Sequence, residues 1–270
     1  MPQSVPPDRP GRESRPHGLK QRRGIPDPEK MSASHFILLI EADSSRTAPL
    51  VAQLIRLGVE PIRVSDLAEA VEMIQSRQYA ISAVLLPAEL PGGELARSLR
   101  RMRLREPVLP CMAYGKAPDQ AQRERLRQAG VLLSLWDGYD LGMLRFQLNR
   151  LVSGENHHPL RGTRRVPMHT PVRVQVGDRE KDGLLYSLSE NGCFIETPRA
   201  SMDGARLRLI FSLEAQQLEI DGVVAFANVP GNLQRPNLPL GMGVRFTNVL
   251  EPHRESLARF IDGRLNDLEV

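Results

Sequence analysis

YSLSENGCFIET, residues 186–197, holds the end of one short apolar strand, GLLYSLS, and the whole of the next, CFIET. Between them Gly192 supplies the backbone freedom of a tight turn. The surrounding texture is similar. VRVQV, RLRLIF and LEIDGVV alternate apolar and polar residues, and GMGVRF adds another short run. Six or so strands at this spacing predict a small antiparallel barrel. The polar, Pro- and Asn-rich stretch ANVPGNLQRPNLP reads as a hairpin loop. PHRESLARFIDGRLNDL follows as a helix, with Leu257, Phe260, Ile261, Leu265 and Leu268 on one stripe.

Upstream the period changes. FILLIE, PIRV, ISAVLL, VLPCMAY and VLLSLW are apolar runs, each read as a buried strand. Amphipathic segments follow them: TAPLVAQLIRLG, SDLAEAVEMIQSRQ, GGELARSLRRMR, DQAQRERLRQAG and LGMLRFQLNRLV. Gly58 and Gly130 are stop signals, and Ser65 or Asp66 opens the second helix with Glu69 in its first turn. Strand alternating with helix predicts a doubly wound parallel sheet with helices on both faces. The fold class is therefore α/β followed by β.

The bulk properties set bounds. A chain of 270 residues allows about two domains. The expected division is a tail at 1–33, an α/β domain at 34–152, a linker at 153–160 (SGENHHP at its heart) and a barrel domain at 161–270. The tail is rich in Pro, Arg, Gly and Asp, has almost nothing for a core, and reads as disordered. Met31, just before the first regular pattern, is a candidate start. Aromatics are only 4%, so the cores are aliphatic, and the net charge of +4 is interspersed, which argues weakly for nucleic acid. Cys111 and Cys193 are the two cysteines, and neither has a Cys or His neighbour, so no disulfide framework or zinc site is readable. His157 and His158 lack metal-binding partners and read as linker. No apolar run approaches a membrane span or a signal-peptide core. The expectation is a cytoplasmic protein with no metal and no cofactor.

LRGTRRVP, residues 160–167, places Arg161 and Arg165 four apart with Val-Pro directly after. An R-x-x-x-R pair alone means little in a chain with 36 Lys and Arg. Its order and spacing relative to SLSENG, then GMGVRF, then the helix carry more. Over residues 158–268 that combination resembles the PilZ family of cyclic di-GMP receptors, whose ligand motifs are R-x-x-x-R and [D/N]-x-S-x-x-G. The resemblance implies a PilZ-type barrel in which Arg161, Arg165, Ser187, Ser189 and Gly192 meet cyclic di-GMP. Arginine suits that ligand, because its guanidinium forks onto phosphate oxygens or onto guanine O6 and N7 and stacks on a base. Ser189 supplies a hydroxyl. Ser187 departs from the family's Asp or Asn; its shorter hydroxyl replaces a carboxylate or amide, a loss of about 1–3 kcal/mol. Arg164 reads as solvated, Cys193 as a small buried strand residue, and Gly241 and Gly243 as serving the barrel's bend.

The alternation of residues 35–151 resembles a two-component receiver domain. An active receiver needs an acidic pair, an aspartate nucleophile, a Ser/Thr and a Lys to run phosphoryl transfer. Here Glu41 is followed by Ala42. Counting back from Pro91, the acceptor slot holds Pro87; the hydroxyl slot holds Ala113 and the lysine slot Asp137. Asp43 and Glu89 are acidic but out of position and read as solvated loop carboxylates. The resemblance thus implies a receiver fold without its chemistry, offering faces for a protein partner or a homodimer. No nucleophile–base set or phosphate-cradling loop is present, so no enzyme is expected. Two rival readings stand beside the effector. One is a PilZ-like scaffold that no longer binds nucleotide. The other is a basic nucleic-acid regulator, for which no recognition helix and too few aromatics are found.

Overall fold

In a computed structural model, which describes residues 36–41, 43–153, 164–235 and 237–270, the first half of the chain resolves into a parallel sheet. Its strands are β1 (Phe36–Ile40), β2 (Glu60–Val64), β3 (Ile81–Pro87), β4 (Cys111–Gly115) and β5 (Leu133–Trp136), ordered β2-β1-β3-β4-β5. That is the order of flavodoxin-like and receiver sheets. The intervening helices are α1 (Ser44–Arg56), α2 (Leu67–Ser76), α3 (Gly92–Arg103), α4 (Gln120–Gln128) and α5 (Leu141–Ser153).

The apolar strand runs work because successive residues face opposite ways. Leu38, Ile40, Val84 and Leu86 pack with α2, α3 and α4, while Ile37, Leu39, Ala83 and Leu85 pack with α1 and α5. The N-cap of α2 is Asp66, whose carboxylate accepts from the amides of Ala68 and Glu69 at 2.8 Å each. Ser65 instead donates its amide and hydroxyl to Glu69 at 2.7 Å each.

The second half is an antiparallel barrel. Its strands are β6 (Arg165–Val176), β7 (Arg179–Ser189), β8 (Gly192–Glu196), β9 (Arg206–Leu213), β10 (Gln216–Val229), the two-residue β11 (Asn232–Leu233) and β12 (Gly241–Asn248). They run β11-β10-β12-β8-β7-β6-β9, and a β9–β10 pairing closes the barrel. The predicted hairpin loop thus contains β11, a strand too short to carry a period. Helix α6 (Glu251–Leu268) plugs the barrel with Leu257, Ile261, Leu265 and Leu268 buried, and Phe260 packs against the same cluster. The α/β plus β fold class holds.

The two sheets are tied together at several points. His35–Val270 forms one compact unit. From α5, Phe146 joins the barrel's apolar cluster. From beyond α6, Val270 joins the cluster on the α2–α4 side of the parallel sheet. Glu269 bridges to Leu133 at the edge of β5. The buried amide of Gln147 donates to the carbonyls of Ser134 at 2.6 Å and Leu268 at 2.8 Å, so one α5 side chain satisfies the end of α6 and the edge of β5. Arg127 donates to the Val270 carbonyl at 3.0 and 2.6 Å, and Arg150 pairs with Glu269 at 2.7 Å. Of the expected linker at 153–160, all but Ser153 lies outside the described residues, as does the tail at 1–33.

Candidate functional site

The barrel register places the motif residues. Arg165, the first residue of β6, stands opposite Ser189 on β7; Ser189 stands opposite Gly192 on β8; and Gly192 stands opposite Arg245 on β12. Two residues along each strand runs a second row, Pro167–Ser187–Phe194–Gly243–Phe226. Directly paired residues share a face, and so do residues two apart, so both rows belong to one face of the sheet. The other face carries Val166, Leu188, Cys193 and Val244, which share one apolar cluster with Phe194 of the second row.

Four of the five residues expected at the site therefore lie together: Arg165, Ser187, Ser189 and Gly192. The fifth, Arg161, lies outside the described residues. Arg164 turns elsewhere and pairs with Asp262 on α6. Ser187 and Ser189 are 4% and 1% exposed, deeper than a surface contact would suggest. The Ser189 hydroxyl donates to the Gly192 carbonyl at 2.9 Å, closing the β7–β8 turn. Gly192 has a structural reason of its own, since a Cβ there would sit 2.3 Å from the Val244 carbonyl oxygen. Gly243 likewise lies under the Phe226 ring, 2.2 Å from where its Cβ would be.

Burial also sets the local chemistry. It pushes the Cys193 thiol up to about 12, against the opposing pull of the Arg165 charge, so Cys193 is an inert core residue at neutral pH. Burial raises the Tyr186 hydroxyl too, against Arg145 and the Asn149 hydrogen bond.

Sequence reasoning missed the rings. Phe146 of α5, Tyr186 of β7, Phe194 of β8 and Phe226 of β10 form a line with centroids 6.4, 5.9 and 5.8 Å apart. Arg235 lies 5.7 Å over the last ring. Asn149 of α5 donates to the Asn237 carbonyl at 3.0 Å. The line runs from the receiver-like lobe along the second row, past Ser187. The only sequence signal was scarcity: with seven Phe and four Tyr in the chain, four on one path is a concentration.

In the parallel sheet, the positions that the sequence reading set against a receiver's acceptor and hydroxyl are packed residues. Pro87 ends β3 opposite Tyr114 on β4, and Ala113 is fully buried. The Tyr114 hydroxyl donates to the Ile40 carbonyl at 2.9 Å and lies 3.4 Å from a Glu41 carboxylate oxygen. The other Glu41 oxygen accepts the Asp43 amide at 3.1 Å. Asp43, Glu89 and Asp137 are exposed.

Residues 159–263 match the PilZ domain profile. The PilZ segment thus covers the barrel, the motif residues and most of α6. Among solved structures, the Bacillus subtilis inhibitor of motility MotI/DgrA matches at 20% identity and a TM-score of 0.35, over 41% of this chain and 53% of that one. This chain therefore spans about half the length of that relative. The PilZ domain of CeSA from a cellulose-synthesizing bacterium matches at 16% identity and a TM-score of 0.29, over 37% of this chain and 96% of that one. The receiver domain of a Pseudomonas aeruginosa sensor histidine kinase matches at 26% identity and a TM-score of 0.39, over 45% and 99%. No curated protein sequence matches the chain. Among the described residues no helix is long and apolar enough to cross a membrane, and no cluster of His, Cys, Asp and Glu is placed to hold a metal ion.

Proposed function

We propose that the chain is a non-enzymatic signalling effector that binds cyclic di-GMP at the face of the barrel that carries Arg165, Ser187, Ser189 and Gly192, and passes occupancy to a partner through its receiver-like lobe. The observation that supports this most is the register that sets Arg165 opposite Ser189 and beside Gly192. Two stretches of sequence separated by a whole hairpin converge there, and both are motifs of the PilZ segment. Arg165 forks onto phosphate or guanine, and Arg161, from the sequence alone, supplies the second guanidinium.

The relay runs through the rings. A ligand over Ser187 presses on Phe194, and the line Phe194–Tyr186–Phe146 ends inside α5. Because α5 and α6 already tie the lobes, occupancy changes the packing of a joint rather than capturing a free domain. The partner, another protein or a second copy of this chain, reads the receiver-like face. The lobe itself takes no phosphoryl group, since its acceptor slot is Pro87 and Tyr114 locks the β1 end. Acetyl phosphate with magnesium should leave the intact mass unchanged; a single added phosphoryl group on Asp43 or Glu89 contradicts this.

A second reading, a PilZ-like scaffold without nucleotide, is favoured by the Ser189 hydroxyl, which is already spent on Gly192, and by Ser187, which is 4% exposed. Isothermal calorimetry of the full chain with cyclic di-GMP separates the two. A saturable heat of binding supports the effector; none at high protein concentration leaves the scaffold.

A further inference from the structure

We infer that Arg245 is a third arginine of the same ligand site, an inference that rests on the cyclic di-GMP reading above. Arg245 belongs to neither sequence motif. The register brings it in: it is the next residue on the row Arg165–Ser189–Gly192. Three strand spacings separate Arg165 from Arg245, about 14 Å between backbones. The residue between Ser189 and Arg245 is a glycine, buried and held bare by the Val244 carbonyl, so no side chain rises in that gap. Two arginines thus stand on one row, with a buried serine and a buried glycine between them.

Arg245 is exposed and, among the described residues, makes no ion pair. Arg208, by contrast, is tied to Asp221 at 2.9 Å and Arg164 to Asp262, so neither is available without breaking a pair. Arg245 also lines a groove of about 790 Å³ with Arg206, Arg208 and Thr247, so a ligand reaching it has space on the far side. A dianionic cyclic dinucleotide carries two phosphates and two guanines, each of which a guanidinium can grip by two parallel bonds. Arg165 takes one end of the row and Arg245 the other.

The test is calorimetry of the full chain with cyclic di-GMP for the wild type, Arg245→Ala, Arg245→Lys and Arg206→Ala. Losing a guanidinium at the exposed end of the row should weaken Arg245→Ala at least about tenfold. Arg245→Lys keeps the charge but loses the fork, so it should remain about threefold or more weaker than the wild type. Arg206→Ala, which removes the same charge from the far side of Val223 in the groove, should change affinity less than about twofold at moderate salt. Unchanged thermal midpoints confirm that the folds are intact. Wild-type affinity in Arg245→Ala overturns the inference while leaving the effector reading in place. Full recovery in Arg245→Lys, or an equal loss in Arg206→Ala, also overturns it, because either outcome reports net charge rather than contact. A wild type with no heat of binding removes the effector reading and the inference together.

Discussion

Replacing Arg165 with alanine is expected to weaken cyclic di-GMP binding at least about a hundredfold, since a fork of two hydrogen bonds to a charged group is worth about 1.5–3 kcal/mol per bond. Arg165 begins β6 opposite Ser189, so its backbone is held by the barrel and little ordering is needed when ligand arrives. The loss should exceed that of one bond, because the ligand's phosphate or guanine edge would be left desolvated without a partner. Arg165→Lys should recover only part, as an ammonium cannot present two parallel donors. Calorimetry on folded variants reads this directly. Wild-type affinity in Arg165→Ala would place the nucleotide elsewhere on the barrel, or remove it from the protein's function.

Phe194→Ala should lower the stability of the whole unit by about 3–5 kcal/mol, the usual range for emptying a buried aromatic site. Phe194 is 1% exposed and is gripped by Tyr186 and Phe226 at ring distances of 5.9 and 5.8 Å. In a unit of this size the thermal midpoint should fall by roughly ten degrees. The chain's one tryptophan, Trp136, lies not in the barrel but in β5 of the parallel sheet. If the contacts of α5 and α6 make the lobes cooperative, Trp136 fluorescence and far-ultraviolet dichroism will report the same lowered midpoint. A dichroism midpoint that falls while that of Trp136 stays put would mean that the barrel unfolds alone, and the ring line would then have no lobe to signal to.

Much of the architecture was legible because it depends on local periodicity. GGELARSLRRMR reads as a helix from its apolar spacing and is α3, Gly92–Arg103. GMGVRF reads as a strand and begins β12. Local ambiguity remained where two neighbours were both suitable, as with Ser65 and Asp66 at the start of α2. There the carboxylate won because it reaches two amides at once. The glycines were half legible. Gly192 could be marked as a turn and ligand residue, but its collision with Val244 belongs to a strand more than fifty positions downstream, which no local pattern exposes.

By itself the sequence determined the strand and helix periods, the receiver-like alternation and the barrel, and it singled out Arg161, Arg165, Ser187, Ser189 and Gly192 as a candidate ligand set, since each is written in residues a few positions apart. The tertiary structure alone decided that Arg245 joins their row, that four scattered rings make one line, and that Gln147 and Val270 bind the two lobes together. Those facts depend on strand register and on barrel closure. Both follow from which buried faces meet at a distance, and that sum over the whole core is not carried by any single stretch of chain.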